Sequence, residues 1–104
     1  DAYLREGERF KVGGLEIFVF ETPGHSPGSV TLQVGPNDLI AGDVLFAGSI
    51  GRTDLPGGDF DTLFRSIRNR LFTYPDDTRV WPGHGPMTTI GEEKATNPFV
   101  GMGA

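Results

Sequence analysis

The pattern Pro-Gly-His-X-Pro occurs twice, as Pro23-Gly24-His25-Ser26-Pro27 and as Pro82-Gly83-His84-Gly85-Pro86, and it holds both histidines of the chain. An apolar, β-branched or aromatic run precedes each copy: Ile17-Phe18-Val19-Phe20 in the first case, Val80-Trp81 in the second. Proline locks φ and removes a backbone donor, so neither a helix nor a central strand continues through such a segment. Glycine lets the backbone take φ > 0 or pass close to a neighbour. Each copy therefore reads as a strand that ends in a rigid loop with an imidazole at its mouth. Such a loop holds the ring at a set angle, as metal ligation requires.

A third strand end lies between the two. Leu39-Ile40-Ala41 is a short apolar strand that closes on Gly42-Asp43. Strand-end loops commonly carry site residues, because a sheet holds them rigidly. Two neutral imidazoles and one carboxylate suit zinc, or iron in a two-His-one-carboxylate set. Each residue also has an ordinary alternative: a solvated turn histidine, or an aspartate bonding its own backbone. The repeated histidine context keeps a shared site in play beside those alternatives.

With 104 residues, the chain holds one domain at most and buries roughly 65% of its unfolded surface. The formal net charge is −5. An acidic chain has no general attraction to nucleic acid or to an anionic bilayer, so neither is an expected partner. There is no cysteine, which excludes disulfides and thiolate metal sites and is compatible with the cytoplasm, the expected compartment. No apolar run approaches the ~18 residues of a membrane span.

In chain order, Glu8 to Val12, a Gly13-Gly14 turn and Leu15 to Phe20 predict a hairpin. From Ser29 to Val34, Val30, Leu32 and Val34 alternate with Thr31 and Gln33, which predicts a strand with one buried face. Leu39 to Ala41 returns as a strand, and Val44 to Phe46 is expected to continue it past Asp43. Residues 47–58 show no periodicity. Loops that long are usually functional or disordered. Within it, Arg52 and Asp54 read either as a local ion pair or as a wall of the substrate cleft.

Asp59 or Asp61 is expected to cap a helix running to about Phe72, with Leu63, Phe64, Ile67 and Leu71 on its core face. Arg65, Arg68 and Arg70 read as that helix's solvated face. Thr78 to Trp81 predicts a strand. Thr89-Ile90-Gly91-Glu92 is a capping-box pattern that opens a final helix ended by Asn97-Pro98. Lys94 on it reads as solvated, or as reaching a substrate anion.

Taken as a set, Thr22-Pro23-Gly24-His25-Ser26-Pro27-Gly28-Ser29, Ala41-Gly42-Asp43 and Pro82-Gly83-His84-Gly85-Pro86 resemble the last three metal-binding motifs of the metallo-β-lactamase superfamily. The segment Gly51-Arg52-Thr53-Asp54-Leu55-Pro56-Gly57-Gly58-Asp59 and the tail Thr89 to Phe99 resemble its glyoxalase II-like (hydroxyacylglutathione hydrolase-like) branch. The resemblance implies an α/β fold: half of an αββα sandwich, with a mostly antiparallel sheet and helices on one face. It also implies that His25 completes one metal site, that Asp43 bridges two metals as the catalytic carboxylate, and that His84 completes the second. The implied cofactor is zinc, with iron or manganese as alternatives. The implied chemistry is attack of a metal-activated hydroxide on a carbonyl, typically a thioester of glutathione.

One departure is large. The family's first motif, His-X-His-X-Asp-His, is absent. The resemblance therefore implies that residues 1–104 are the C-terminal half of such a domain, with weak or no metal binding and no activity alone. The implied partner is the N-terminal half, or a second copy forming a homodimer. The contact would cover a sheet face holding Ile17, Val19, Val30, Leu32 and Val34, or the set one residue out of step. A non-catalytic interaction module is the competing expectation.

Overall fold

The computed structural model describes residues 7–25, 29–54 and 56–102. Ser26, Pro27 and Gly28 of the first loop pattern, and Leu55 of the long loop, lie outside the described residues. The chain forms β1 (Arg9–Val12), β2 (Leu15–Glu21), β3 (Val30–Val34), β4 (Asp38–Gly42), β5 (Leu45–Phe46), β6 (Ser49–Ile50), α1 (Phe60–Ser66), β7 (Arg79–Pro82), β8 (Thr88–Thr89) and α2 (Ile90–Thr96). Six strands make one sheet in the order β1-β2-β3-β4-β7-β8, and β5 pairs with β6 in a separate ribbon. All sheet neighbours are antiparallel except β4 and β7, which run parallel. This is the expected mixed α/β architecture.

The hairpin forms as predicted, with Val12 opposite Leu15 around the Gly13-Gly14 turn. The segment after Asp43 does not continue β4. It turns away and pairs with Ser49–Ile50 as the small ribbon, so the aperiodic stretch contains a strand that the expectation missed. Asp59, not Asp61, caps α1: its carboxylate accepts from the Thr62 backbone N–H at 2.8 Å and from the Thr62 hydroxyl at 2.7 Å. A π-helical stretch, Ile67–Leu71, carries the helix onward. Leu63, Ile67 and Leu71 are fully buried, each burial contributing about 1.5–3 kcal/mol.

Successive side chains in a strand point to opposite faces. On one face of the sheet Phe20, Leu39, Ala41 and Val80 join Leu63, Ile67, Leu71 and Ile90 in a single core. β3 has one covered face, as expected, and Val30, Leu32 and Val34 lie on the other, the side expected to need a partner. Its polar residues take the covered face: Thr31 is fully buried and shares a hydrogen bond with the Thr22 hydroxyl, while Gln33 accepts one from the Tyr74 hydroxyl. Val30, Leu32 and Val34 are only half-buried, on the other face. The polar side chains tolerate burial because each finds a partner. Alternation alone cannot say which face is buried when such partners exist.

The opposite face is apolar and partly open. Register places Ile17 beside Val34 and Val19 beside Leu32, and Leu32 beside Ile40, which neighbours Trp81. Ile40 and Trp81 are exposed, while Val19 is fully buried. Asp38 accepts from Arg79 Nε and Trp81 Nε1 at the rim, and the Arg79 guanidinium holds its carboxyl below the ordinary range.

Arg65 and Arg68 are exposed and Arg70 is half-buried, as expected of a surface face, yet two of them also bind across the fold. Arg68 donates to the Val100 and Gly101 carbonyls, which ties the helix to the segment after α2, and Arg70 donates to the Glu21 carbonyl. Lys94 pairs with Asp76 at 3.0 Å. Among the described residues, no helix is long and apolar enough to cross a membrane.

Candidate metal centre

Strand direction assembles the site. β2 and β4 each run antiparallel to β3 between them, and β7 runs parallel to β4, so β2, β4 and β7 share one direction. Their carboxyl ends therefore lie along one edge of the sheet, where open α/β sheets place ligand sites. β2 leads to His25, β4 to Asp43 and β7 to His84. Gly83 N–H donates to the Gly42 carbonyl at 2.9 Å and holds the second and third loops side by side.

The three predicted residues meet. His25 Nε2 lies 3.9 Å from one Asp43 oxygen, and His84 Nδ1 lies 3.4 Å from the other. One carboxylate thus stands between two imidazoles, with each oxygen turned toward a different ring. Among the described residues no group of three His, Asp or Glu side chains is gathered to hold a single ion. The geometry is a shared carboxylate flanked by two separate donors.

His25 is the better-held ring. Its Nδ1–H donates to the Arg52 carbonyl at 2.8 Å. That bond assigns the tautomer, because a carbonyl only accepts, and it leaves the Nε2 lone pair facing Asp43. A second nitrogen tied to a carbonyl is the usual support of a ligating histidine. His84 is held less: its side chain is 82% exposed, against 25% for His25, and its nearest ring neighbour is Phe46, at 6.3 Å between centroids.

Two glycines permit the close packing around His25. Gly24 has φ of +131°, and a Cβ there would run into the Leu63 backbone. Gly51 approaches Asp43 and His25 so closely that a Cβ would run into the Asp43 carbonyl. Ser66 Oγ donates to the Pro23 carbonyl, and Asp59 N–H donates to the Gly24 carbonyl, each at 2.7 Å. Gly51 and the Arg52 carbonyl were not singled out from sequence. The available signal was a glycine at the start of an aperiodic stretch.

Arg52 and Asp54 form a bidentate ion pair, with both N–O contacts at 3.0 Å and both side chains exposed. Each holds the other in its charged form: the Asp54 carboxyl titrates below its ordinary value because of the Arg52 hydrogen bond, and Arg52 above its own. The local-pair reading describes these two residues. They also line a shallow recess beside the site with Ile50, Phe60 and Phe99.

Comparison with known proteins identifies the family and the fold. The family model for the metallo-beta-lactamase superfamily matches residues 1–84. The hydroxyacylglutathione hydrolase GloC of Haemophilus influenzae is 45% identical over an alignment of 107 positions, gaps included, that covers 96% of this chain and 50% of that protein. Among solved structures, ETHE1 from Myxococcus xanthus superposes with a TM-score of 0.87 at 40% identity, over 93% of this chain and 44% of that one. TTHA1623, solved in a di-iron-bound form, superposes with a TM-score of 0.79 at 49% identity, over 92% of this chain and 46% of that one. The chain spans about half the length of the curated relatives it matches. A sheet edge carrying two imidazoles around one carboxylate, together with a family match over most of its residues, makes this chain a member of the metallo-β-lactamase superfamily, a family of metallo-hydrolases.

Proposed function

We propose that this chain is the C-terminal, ligand-bearing half of a metal-dependent hydrolase of the thioester class. The observation that carries the reading is the Asp43 carboxylate set between His25 Nε2 and His84 Nδ1, with the other nitrogen of His25 already tied to the Arg52 carbonyl. This donor set fits a pair of metals. His25 would hold one, His84 the other, and Asp43 would contribute an oxygen to each. Zinc is the first candidate; iron is supported by the di-iron form of one relative, and manganese accepts the same donors. A divalent metal so held makes hydroxide available at neutral pH and polarises a carbonyl.

The chain's own residues then have distinct tasks. Asp43 stands between the two imidazoles and would supply the anionic centre of the site. Arg52 fixes the His25 tautomer through its main chain. Its side chain, with Asp54, would form the rim that substrate crosses. The thioester class rests on the 45% identity to a protein named for hydrolysis of acylglutathione. Half a ligand set binds metal weakly and turns over nothing measurable, so activity requires the N-terminal half, whose seat is the open sheet face with Ile40 and Trp81 exposed.

That same exposed face supports a second reading, in which the chain pairs with another copy of itself. Calorimetric titration with zinc separates the claims. The chain should bind zinc weakly, and His84→Ala should abolish the binding. Tight binding that survives the substitution would place the metal elsewhere. Addition of the N-terminal half should raise the stoichiometry to two metals and bring thioesterase activity, and a chain already dimeric in sedimentation would favour the second reading.

A further inference from the structure

Glu93 is a fully buried carboxylate that the site described above does not use; its side-chain oxygens collect three donors. Oε1 accepts from Gly48 N–H at 2.9 Å and from Asn97 Nδ2 at 2.9 Å, and Oε2 accepts from Thr88 Oγ1 at 2.6 Å. The two oxygens reach opposite sides of the site. Gly48 opens the turn into β6, which runs on through Ser49 and Ile50 to Gly51, wedged against Asp43, and to Arg52, whose carbonyl holds His25. Asn97 adds a second hold on that segment by donating to the Ser49 carbonyl at 3.0 Å. Thr88 begins the strand that follows the His84 loop. A single carboxylate on α2 therefore joins the base of one histidine's support to the base of the other.

We propose that Glu93 is a positioning residue, one that sets the spacing of the two imidazoles about Asp43 by holding segment 48–52 and the 83–88 loop to one point. Its effect is by reach, not charge. The inference rests on the reading of His25 and His84 as ligands, but its test needs neither metal nor turnover, so either can fail alone.

The test compares two conservative variants of the full chain by long-range proton–nitrogen correlation of the imidazoles, with amide exchange alongside. Glu93→Gln keeps the reach and drops the charge: its carbonyl can accept from Gly48 and Asn97 while its amide faces Thr88. It should keep His25 as the Nδ1–H tautomer. Glu93→Asp keeps the charge and draws the carboxylate back by one methylene. It should lose that signature and speed exchange at Gly51 about tenfold, the value of one hydrogen bond, with Leu39 and Val80 still protected. A Gln variant that loses the tautomer, or an Asp variant that keeps it, overturns the proposal. So does loss of protection at Leu39 and Val80 in the Asp variant, which would make Glu93 a support of the whole fold. Thr88→Val, which removes only the Oε2 partner, should quicken exchange at residues 83–87 and leave His25 unchanged; an altered His25 there would count against two separable arms.

Discussion

The first histidine loop, residues 23–25, and the second, residues 83–86, share a five-residue pattern, yet the two are held in different ways. Pro23, Gly24 and His25 are clamped from three sides: α1 packs under Gly24, Ser66 and Asp59 donate to its carbonyls, and Arg52 accepts from the ring. The second loop stands at the sheet edge with Gly83 bonded to Gly42 and its imidazole in solvent. The shared motif thus encodes what is presented, an imidazole on a rigid turn. How firmly it is aimed depends on elements far away in sequence. In the proposed two-metal reading, the first loop is prepared before metal arrives, and the second completes its geometry on binding.

The largest test of this contrast is a matched pair of glycine substitutions. Gly24→Ala adds a methyl against the Leu63 backbone at a φ that side chains avoid, and should destabilise the chain by about 3 kcal/mol or more. At Gly83 the added carbon would meet the Asp43 side chain at 3.3 Å, which can give way. Gly83→Ala should cost about 0.5 kcal/mol, within the surface range. Denaturant unfolding of the two variants decides the matter: equal losses would mean that both loops are equally built in.

A smaller effect is expected at Ser66. Removing its hydroxyl in Ser66→Ala leaves the half-buried Pro23 carbonyl without that donor, for a loss of about 1–2 kcal/mol. The His25 ring signals should shift while those of His84 stay in place. Movement of both sets would show that the loops share one support on α1.

The smallest effect concerns acid. The hydrogen bonds from Thr62 hold the Asp59 carboxyl below its ordinary value, and Asp59 N–H binds the Gly24 carbonyl. A carboxyl with a depressed folded-state pKa contributes stability above its unfolded pKa, and that contribution is lost as pH falls through the folded value. Asp59→Ala should therefore lower the unfolding midpoint slightly at neutral pH, and the gap from wild type should close below roughly pH 4. A gap that persists at pH 2 would assign the effect to helix geometry instead of charge.

Much of this was legible from the residues alone. The turn chemistry of Gly13-Gly14, the apolar spacing of Leu63, Ile67 and Leu71, and the two proline-bounded loops each express a local rule, and local rules survive folding. What local rules do not give has a different cause. Thr31 and Gln33 lie on the covered face because Thr22 and Tyr74 supply partners that only tertiary structure brings near. Arg68 stays exposed yet donates to two carbonyls after α2, a contact that no local rule foretells. Glu93 looks like a surface charge beside Glu92, and only its helical spacing with Ile90 and Asn97, all three buried, marks the inner stripe. The convergence of His25, Asp43 and His84 was foreseen from family likeness; the hold on each ring was not.

The parallel pairing of β4 with β7 has a consequence for when the site comes into being. The β1–β2 and β3–β4 hairpins close over short turns, but Asp38 meets Arg79 only at a separation of 41 residues. Contacts that distant are formed against a loop-closure entropy that nearby pairs escape, and they slow folding. On a ribosome, His25 and Asp43 emerge well before the strand that carries His84. The docking of the crossover strand is the step that turns scattered side chains into a candidate centre.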